Sequence, residues 1–461
     1  MTPRPASPAA ARRLPRSRRG SLLIVAMLVA AFIALGLGSY LSFNLTSTRL
    51  AQRTFHRNAA FNLAECGLEE GLWSYNRTLS GETDGWTGWN TDAGSAWRKF
   101  DGFSFAAGTT GSVKVYATPR TPAEGTAPRV VALATIDTQS GTGTTQMIEV
   151  SLKRRSYFAN GLTARRTLAF KGNSTTFDSW NSDPDNNPAT AAVPYSPALA
   201  QDTGGVASST VESTDLIFNN ARIHGYVRTG GPYPTVGPQG LIGPAGTPDG
   251  VIDPDRVATD FSANFPDLAA PADGTVIGAI GPTLGTPGTS TSWICPALIL
   301  KGNDTLTILG DVTLVLTDPI KALSITGKAS IIIPAGSALT LYTPGDVLVA
   351  GNGLVNANAS PATFRLWSTH TSDNFNQEID ITGNGSLSAV IYAPRADLTL
   401  RGNGDVQGAM VADTITLTGN AAFHYDEALA NLSDHAGYRA TGWRQLTGPE
   451  AAANSARFSG W

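Results

Sequence analysis

Gly20-Ser21-Leu22-Leu23-Ile24-Val25-Ala26-Met27-Leu28-Val29-Ala30-Ala31-Phe32-Ile33-Ala34-Leu35-Gly36-Leu37-Gly38-Ser39-Tyr40-Leu41 opens a run that stays charge-free to Thr48, directly behind an arginine-rich leader. About 20 apolar residues in a helix span the hydrocarbon core of a bilayer, so the run predicts a membrane-spanning helix. The leader carries Arg4, Arg12, Arg13, Arg16, Arg18 and Arg19 and no acid, a bias that holds it on the cytoplasmic side. The apolar core of a cleaved secretory signal has about 7–15 residues, fewer than this run. A signal anchor, or a signal peptide cut near Gly38-Ser39, is the competing reading.

The helical period outlasts the apolar run. Leu50, Thr54, Arg57, Phe61, Ala64, Leu68 and Leu72 recur at three- and four-residue steps. Phe61, Ala64, Leu68 and Leu72 form the apolar side of that series, while Arg49, Arg53, Asn58, Glu65 and Glu69 lie largely elsewhere. No proline occurs between Pro15 and Pro119, so nothing there must break a helix. A single helix from about Ser21 to Tyr75 would be roughly 80 Å long, half in lipid and half projecting. Two helices with a break near Gly36–Ser42 are the alternative; membrane helices tolerate glycine, which favours one.

These residues carry a resemblance. Arg19-Gly20-Ser21-Leu22-Leu23, the apolar helix, and then Asn58-Ala59-Ala60-Phe61-Asn62-Leu63-Ala64-Glu65-Cys66-Gly67-Leu68-Glu69 resemble the N-terminus of PilX-type pilus assembly proteins, the minor pilins of type IV pili and related secretion machines. The resemblance implies cleavage by a prepilin peptidase between Gly20 and Ser21. It also implies an assembly helix that includes Val25, Phe61, Ala64, Glu65, Leu68 and Leu72. The implied partners are other pilin or pseudopilin subunits, the peptidase and the inner membrane. Most pilins carry glutamate where this chain has Val25, which argues against a major pilin.

Composition narrows the rest. The chain has 461 residues, enough for two or three domains, with 49 Gly, 28 Pro and only 15% charged residues. This balance favours β structure with many turns over a helical enzyme. Without the six leader arginines, 27 basic residues face 36 acidic ones, a net of −9. That excludes broad nucleic-acid binding, which needs clustered positive charge; Lys153-Arg154-Arg155 and Arg165-Arg166 are the basic clusters. The two cysteines, Cys66 and Cys295, give neither a disulfide framework nor a C-x-x-C metal spacing. Two buried free thiols are expected.

Residues 76–112 are turn-rich and hold Trp86, Trp89 and Trp97. Three strands are predicted next, at Val113–Ala117, Val130–Ile136 and Gln146–Leu152. The first and third alternate as in a sheet with one wet face. An antiparallel sheet on the exposed half of the helix would bury its Phe61–Leu72 side.

Beyond residue 156 the chain repeats. A Gly-Asn pair follows a short β-like run at Gly172-Asn173, Gly302-Asn303, Gly351-Asn352, Gly383-Asn384, Gly402-Asn403 and Gly419-Asn420, with a degenerate copy at Gly327-Lys328. Steps from Gly302 onward are 25, 24, 32, 19 and 17 residues. Short strands between Gly/Asn turns predict a parallel β-helix, because Gly and Asn suit left-handed corners; stacked Asn side chains would bond along its axis. A β-sandwich is the competing reading. Earlier coils are expected at Thr167–Phe170 and Leu216–Val227, an irregular Pro/Gly-rich insertion at 229–292, and a cap on the last coil after Leu429. Residues 380–430, with Ser386–Pro394, Gly402–Ala409 and Phe423–Leu429, resemble a β-repeat domain often joined to PilX-like N-termini; the likeness over 160–380 is looser.

The most enzyme-like cluster is His424-Tyr425-Asp426-Glu427. Sequence neighbours point different ways and the motif ends the array, so a capping or packing role is expected. Asp178, Asp183 and Asp185 gather oxygen ligands without the Gly and Glu positions of an EF-hand loop, so a polar loop is expected. Nucleophile-elbow, P-loop and zinc signatures are absent, and neither a catalytic residue nor a metal or cofactor is assigned. The expected class is α+β: a leader over 1–20, a helix over 21–75, a small antiparallel sheet within 76–156, a β-solenoid over 157–430, and a cap over 431–461. The expected role is structural. A minor pilin or pseudopilin-like subunit is held in the inner membrane before assembly and displays its solenoid outside the cytoplasm, on a fibre or its tip, for contact with surface polysaccharide or a cell surface. A membrane-anchored β-helix carbohydrate-active enzyme and a stand-alone anchored adhesin are the alternatives.

Overall fold

With no proline to interrupt it, the chain forms one helix, α1, over Arg19–Leu79. Its 61 residues extend about 90 Å at 1.5 Å per residue. The computed structural model describes residues 19–79, 82–106, 108–122, 126–138, 143–154, 156–172, 175–187, 189–350, 353–372, 374–382, 387–402, 404–432 and 437–461. The leader to residue 18 lies outside them, as do Asn173, Gly351, Asn352, Gly383, Asn384 and Asn403. Gly36 and Gly38 sit inside α1 without a break, in open space. The helix is long and apolar enough to cross a membrane by length and composition, and from Leu22 to Leu45 its large apolar side chains are all exposed. The chain divides into two units: Met1–Lys153 with Ala440–Trp461, and Arg154–Arg439.

In the first unit α1 packs on a six-stranded sheet. The strand order is Asn90–Thr91, Ala96–Ala106, Thr109–Thr118, Arg129–Thr138, Thr144–Arg154 and Tyr438–Leu446, and the first five pair antiparallel. Val113, Val115, Ala117, Val130, Ala132, Ala134, Ile148 and Val150 alternate onto the buried face. The helix stripe that meets them is Ala60, Leu63, Ala64, Gly67, Leu68, Gly71, Ser74 and Tyr75; Phe61 and Leu72, expected on that side, are half-buried at its edges. Small residues decide the stripe. A Cβ on Gly67 would lie 2.8 Å from Val113 and Val115, and one on Gly71 would lie 2.6 Å from Val130. Cys66, expected to be buried, is exposed; both cysteines are free.

The opposite sheet face is not the expected wet one. Leu446 and Phe458 cover Val131 and Met147, Lys114 Nζ donates to the Phe458 carbonyl at 2.8 Å, and Arg444 pairs with buried Glu149 at 2.9 Å. Residues 440–461, expected within a cap on the solenoid, therefore belong to the first unit.

The second unit is a parallel β-helix. Among the described residues its 23 strands join one sheet system, and each pairs in parallel with one a turn away. Three ladders of inward side chains form the core. One runs Leu314, Leu341, Leu366, Ile391, Met410, Leu162, Val206, Val227. A second runs Leu298, Leu323, Val347, Ile379, Leu398, Ile415, Leu168, Leu216. The third ends Leu387, Val406, Phe423, Phe177, Ile223, Ile242. All of these are buried.

The ladders show that spatial order departs from chain order. The stack runs from Thr283 to Asp426 and then continues with Leu162 to Ala258. The strands at Leu168–Phe170 and Leu216–Ile217 are coils, as expected, but they follow the array in space instead of preceding it. One turn is composite. Val406–Thr418 pairs with Ala422–Asp426 and also with Leu162–Ala164 and Leu168–Phe170.

Such an order requires a return path from the far end of the stack. Residues 259–282 provide it. Phe261 N donates to Thr229 O at 2.8 Å, Tyr392 Oη to Pro266 O at 2.9 Å, and Ile277 N to Ile294 O at 2.8 Å; Arg395 pairs with Asp267 at 2.7 Å. These fastenings visit the last turns, the middle and the first turn. The expected insertion at 229–292 is thus this strap together with the strands Leu241–Gly243, Val257–Ala258, Thr275–Val276 and the start of Thr283–Cys295.

Glycines turn the corners. Gly419 has φ +96, and a Cβ there would lie 2.2 Å from the Gly402 carbonyl oxygen in the adjoining turn. Gly336 has φ +77 but faces open space. Gly336→Ala should therefore cost only backbone strain, about 1 kcal/mol, whereas Gly419→Ala should lose about 3 kcal/mol or more as strain and steric overlap combine. Denaturant melts of the two variants would check the difference; equal losses would contradict the stacked-corner account.

Candidate functional site

The residues assigned to helix assembly fall into two groups. Val25 is exposed on the bare half of α1. Ala64 and Leu68 are buried under the chain's own sheet, Phe61 packs its ring 5.4 Å from Trp443, and Glu65 and Leu72 are half-buried. Gly20 and Ser21 lie in the first turn of α1. Of the repeat-turn residues, Gly302, Gly402 and Gly419 have positive φ, and a Cβ on Gly327 would lie 3.1 Å from the Gly302 carbonyl oxygen. Asn303 and Asn420 are described, but Gly351, Asn352, Gly383, Asn384 and Asn403 fall outside the described residues, so an asparagine ladder is not traced.

The His424–Glu427 motif lies where the two ends of the β-helix domain meet. Parallel register places Gln407, His424 and Asp178 side by side on adjoining turns. With Phe423 and Phe177 turned inward and stacked 5.8 Å apart, this row faces outward. His424 Nδ1 lies 2.6 Å from Asp178 Oδ1, and Tyr195 Oη donates to Asp178 Oδ2 at 2.9 Å. The Tyr195 ring stacks on the imidazole at 3.7 Å, and Trp180 meets that ring edge-on. His424 Nε2 is 4.0 Å from Asp405 Oδ1.

The other three residues point elsewhere, as expected from their adjacency. Tyr425 Oη donates inward to the Phe158 carbonyl at 2.8 Å. Asp426 accepts from Ser182 N at 2.9 Å, Ser182 Oγ at 2.6 Å and Ala428 N at 3.1 Å. Burial pushes its carboxyl above the ordinary carboxylate range, against those hydrogen bonds. Glu427 accepts from Ser179 Oγ at 2.7 Å and from Thr203 Oγ1. Asp183 and Asp185 instead accept from their own loop, at Asn187 N and Thr190 Oγ1. Among the described residues no three His, Cys, Asp or Glu side chains converge on a point where a metal would sit.

Beside this row runs a groove of about 580 Å³. Pro194, Tyr195, Leu354, Val355, Ala357 and Ala359 give it apolar walls, and Asn356, Asn358, Ser388 and Gln407 give it polar groups. Asn356 and Asn358 are committed to the fold: their amides donate to Thr363 Oγ1, Ser388 O, Pro334 O and Ser337 O. Ser388 is 6% exposed and its Oγ has no hydrogen-bond partner. Sequence reading missed the groove. Pro194-Tyr195 and Ser388–Gln407 lie some two hundred residues apart, and no local signal links them.

Comparison with known proteins adds little to this geometry. A domain of unknown function (DUF7305) matches residues 300–432, from the early array to the end of the His424 motif. No curated protein matches the chain. Among solved structures, the competence-associated pilin ComZ from Thermus thermophilus matches at 12% identity, over 84% of this chain and 96% of that one, with a TM-score of 0.21. Superposition that loose carries no argument.

Burial holds the buried phenols neutral. Tyr157 is pushed up to about 12 by burial. Tyr392 rises by burial, reinforced by Tyr157 and Asp267. Tyr425 rises by burial, reinforced by Glu427 and Asp426. An unfolded tyrosine ionises near pH 10. The stabilisation from these phenols is therefore complete below about pH 10 and is lost as pH rises from there through the folded values, by up to about 1.4 kcal/mol per pH unit for each phenol. Ultraviolet titration should show them ionising together with loss of β-sheet circular dichroism, and Tyr392→Phe should make the alkaline fall in stability shallower. Independent ionisation of all tyrosines in the intact fold would contradict it.

Proposed function

We propose that this chain is a pilin-like structural subunit: a minor pilin or pseudopilin of the PilX type, held in the inner membrane before assembly. The supporting observation is the division of α1. Its first half exposes Leu22 to Leu45 without a break, while its second half is locked to its own sheet through Ala60, Ala64, Gly67 and Gly71. A helix so divided serves lipid first and neighbouring subunit helices afterwards. Burial of its apolar face is favourable in either setting, and a uniformly apolar surface demands no specific polar partner. On this reading a prepilin peptidase cuts between Gly20 and Ser21, and the β-helix, carried between two neighbouring strands of the sheet, is displayed outside the cytoplasm for surface contact.

N-terminal mass analysis of the protein purified from native membranes, with and without the prepilin peptidase, tests this. The expected mature peptide begins at Ser21 and disappears in the peptidase-deficient strain. A start near Ser39, or an uncut Met1, would sink the reading.

A further inference from the structure

The groove beside His424 has the chemistry of a site for an uncharged sugar chain, and we infer that the β-helix binds a neutral oligosaccharide there. Charge comes first. None of the residues lining the groove is Lys, Arg, Asp or Glu, so it holds no counter-ion for a uronate, sulfate or phosphate. The two charged groups that face His424 beside the groove, Asp178 and Asp405, are acidic and disfavour an anionic ligand.

The polar groups narrow the ligand further. Ser388 lies in the groove wall with its Oγ buried and without a partner, so the hydroxyl presents no surface of its own to a ligand. Gln407 stands next to it in register, and its amide both donates and accepts. That amide offers one donor and one acceptor direction to the hydroxyls of a ligand. Tyr195 and Val355 supply apolar surface for the C–H face of a pyranose ring; the Tyr195 ring is held in place by His424 on one side and its bond to Asp178. Alternating hydroxyl and C–H faces are the surface a sugar presents.

Length and backbone distinguish this ligand from a peptide. Val355, Ser388 and Gln407 bring three strands to the groove, so at about 4.8 Å per strand it extends roughly 10 Å, room for a short chain. An extended peptide gains affinity by adding to a free strand edge. The Gln407 wall offers no such edge, because Val406–Gly408 is paired on both sides.

The inference stands on the β-helix alone and is independent of whether α1 is processed or assembled. Isothermal titration of the full chain in detergent would test it, using cellohexaose, maltohexaose, chitohexaose and mannohexaose, with hexagalacturonate as the acidic control. Saturable binding of at least one neutral oligomer and none of the control is expected. Gln407→Ala should weaken that binding about tenfold, the worth of one good hydrogen bond. Val355→Trp, at a 45% exposed position where the fold is not at risk, should abolish it; thermal melts would confirm that both variants fold. Absence of binding to every neutral oligomer, equal binding of the uronate, or binding untouched by both substitutions would each overturn the inference. None of those results would alter the N-terminal mass.

Discussion

Pairing of Val406–Thr418 with strands from both ends of the inserted domain is the contact on which the β-helix depends. Without it the array from Thr283 to Thr418 would end on a bare strand edge, and the block from Leu162 to Ala258 would begin on one. Open edges recruit other chains. Joined, each closes the other, and the three core ladders run through the join without changing character: Met410 to Leu162, Ile415 to Leu168, Phe423 to Phe177. The strap at residues 259–282 is then a geometric necessity, because the chain leaves one end of the stack and must restart at the other. Near the two ends of the second unit the Arg154 guanidinium lies over the Tyr438 ring at 5.6 Å.

A second constraint, close backbone approach, recurs in both units. On α1 it is met by Gly67 and Gly71 against valine side chains, and in the β-helix by Gly419 against a carbonyl oxygen. On α1 each glycine forgoes helix propensity worth about 1 kcal/mol so that the valines can pack, whereas at the Gly419 corner the positive φ itself favours glycine. In α1 this also sorts the helix into its two uses. Gly67 and Gly71 mark where it meets its own sheet most closely, and the run from Leu22 to Leu45 is left bare.

Much of this architecture was readable in the sequence. The continuous helix followed from hydropathy and the missing prolines, the sheet from the alternation at Val113–Ala117 and Gln146–Leu152, and the β-helix from recurrent glycine corners. What was not readable has a common cause. A repeat specifies the shape of each turn but not which turn is its neighbour, so the placement of Leu162–Val227 after the array left no local trace. The stripe on α1 includes the expected Ala64 and Leu68, while Phe61 and Leu72 flank it half-buried; its closest contacts are made by Gly67 and Gly71, which hydropathy does not mark. The tail at 440–461 looked like a cap because it follows the last coil; its partners, Val131, Met147 and Glu149, lie three hundred residues upstream.

The candidate groove inherits the same dependence. Ser388 and Gln407 come from the array, Tyr195 from the block stacked after it, and Asp178, which fixes Tyr195 and His424, from the first strand beyond the join. His424 is the hinge of the arrangement: its backbone continues the row from Gln407, its Nδ1 side meets Asp178, and its ring face carries Tyr195. Polar side chains concentrate in the His424–Glu427 run because four consecutive residues each fasten the end of the array to the stretch between Phe158 and Thr203. The wall that Tyr195 contributes is therefore a consequence of closing the stack, and a binding surface assembled from two distant stretches exists only when that closure is complete.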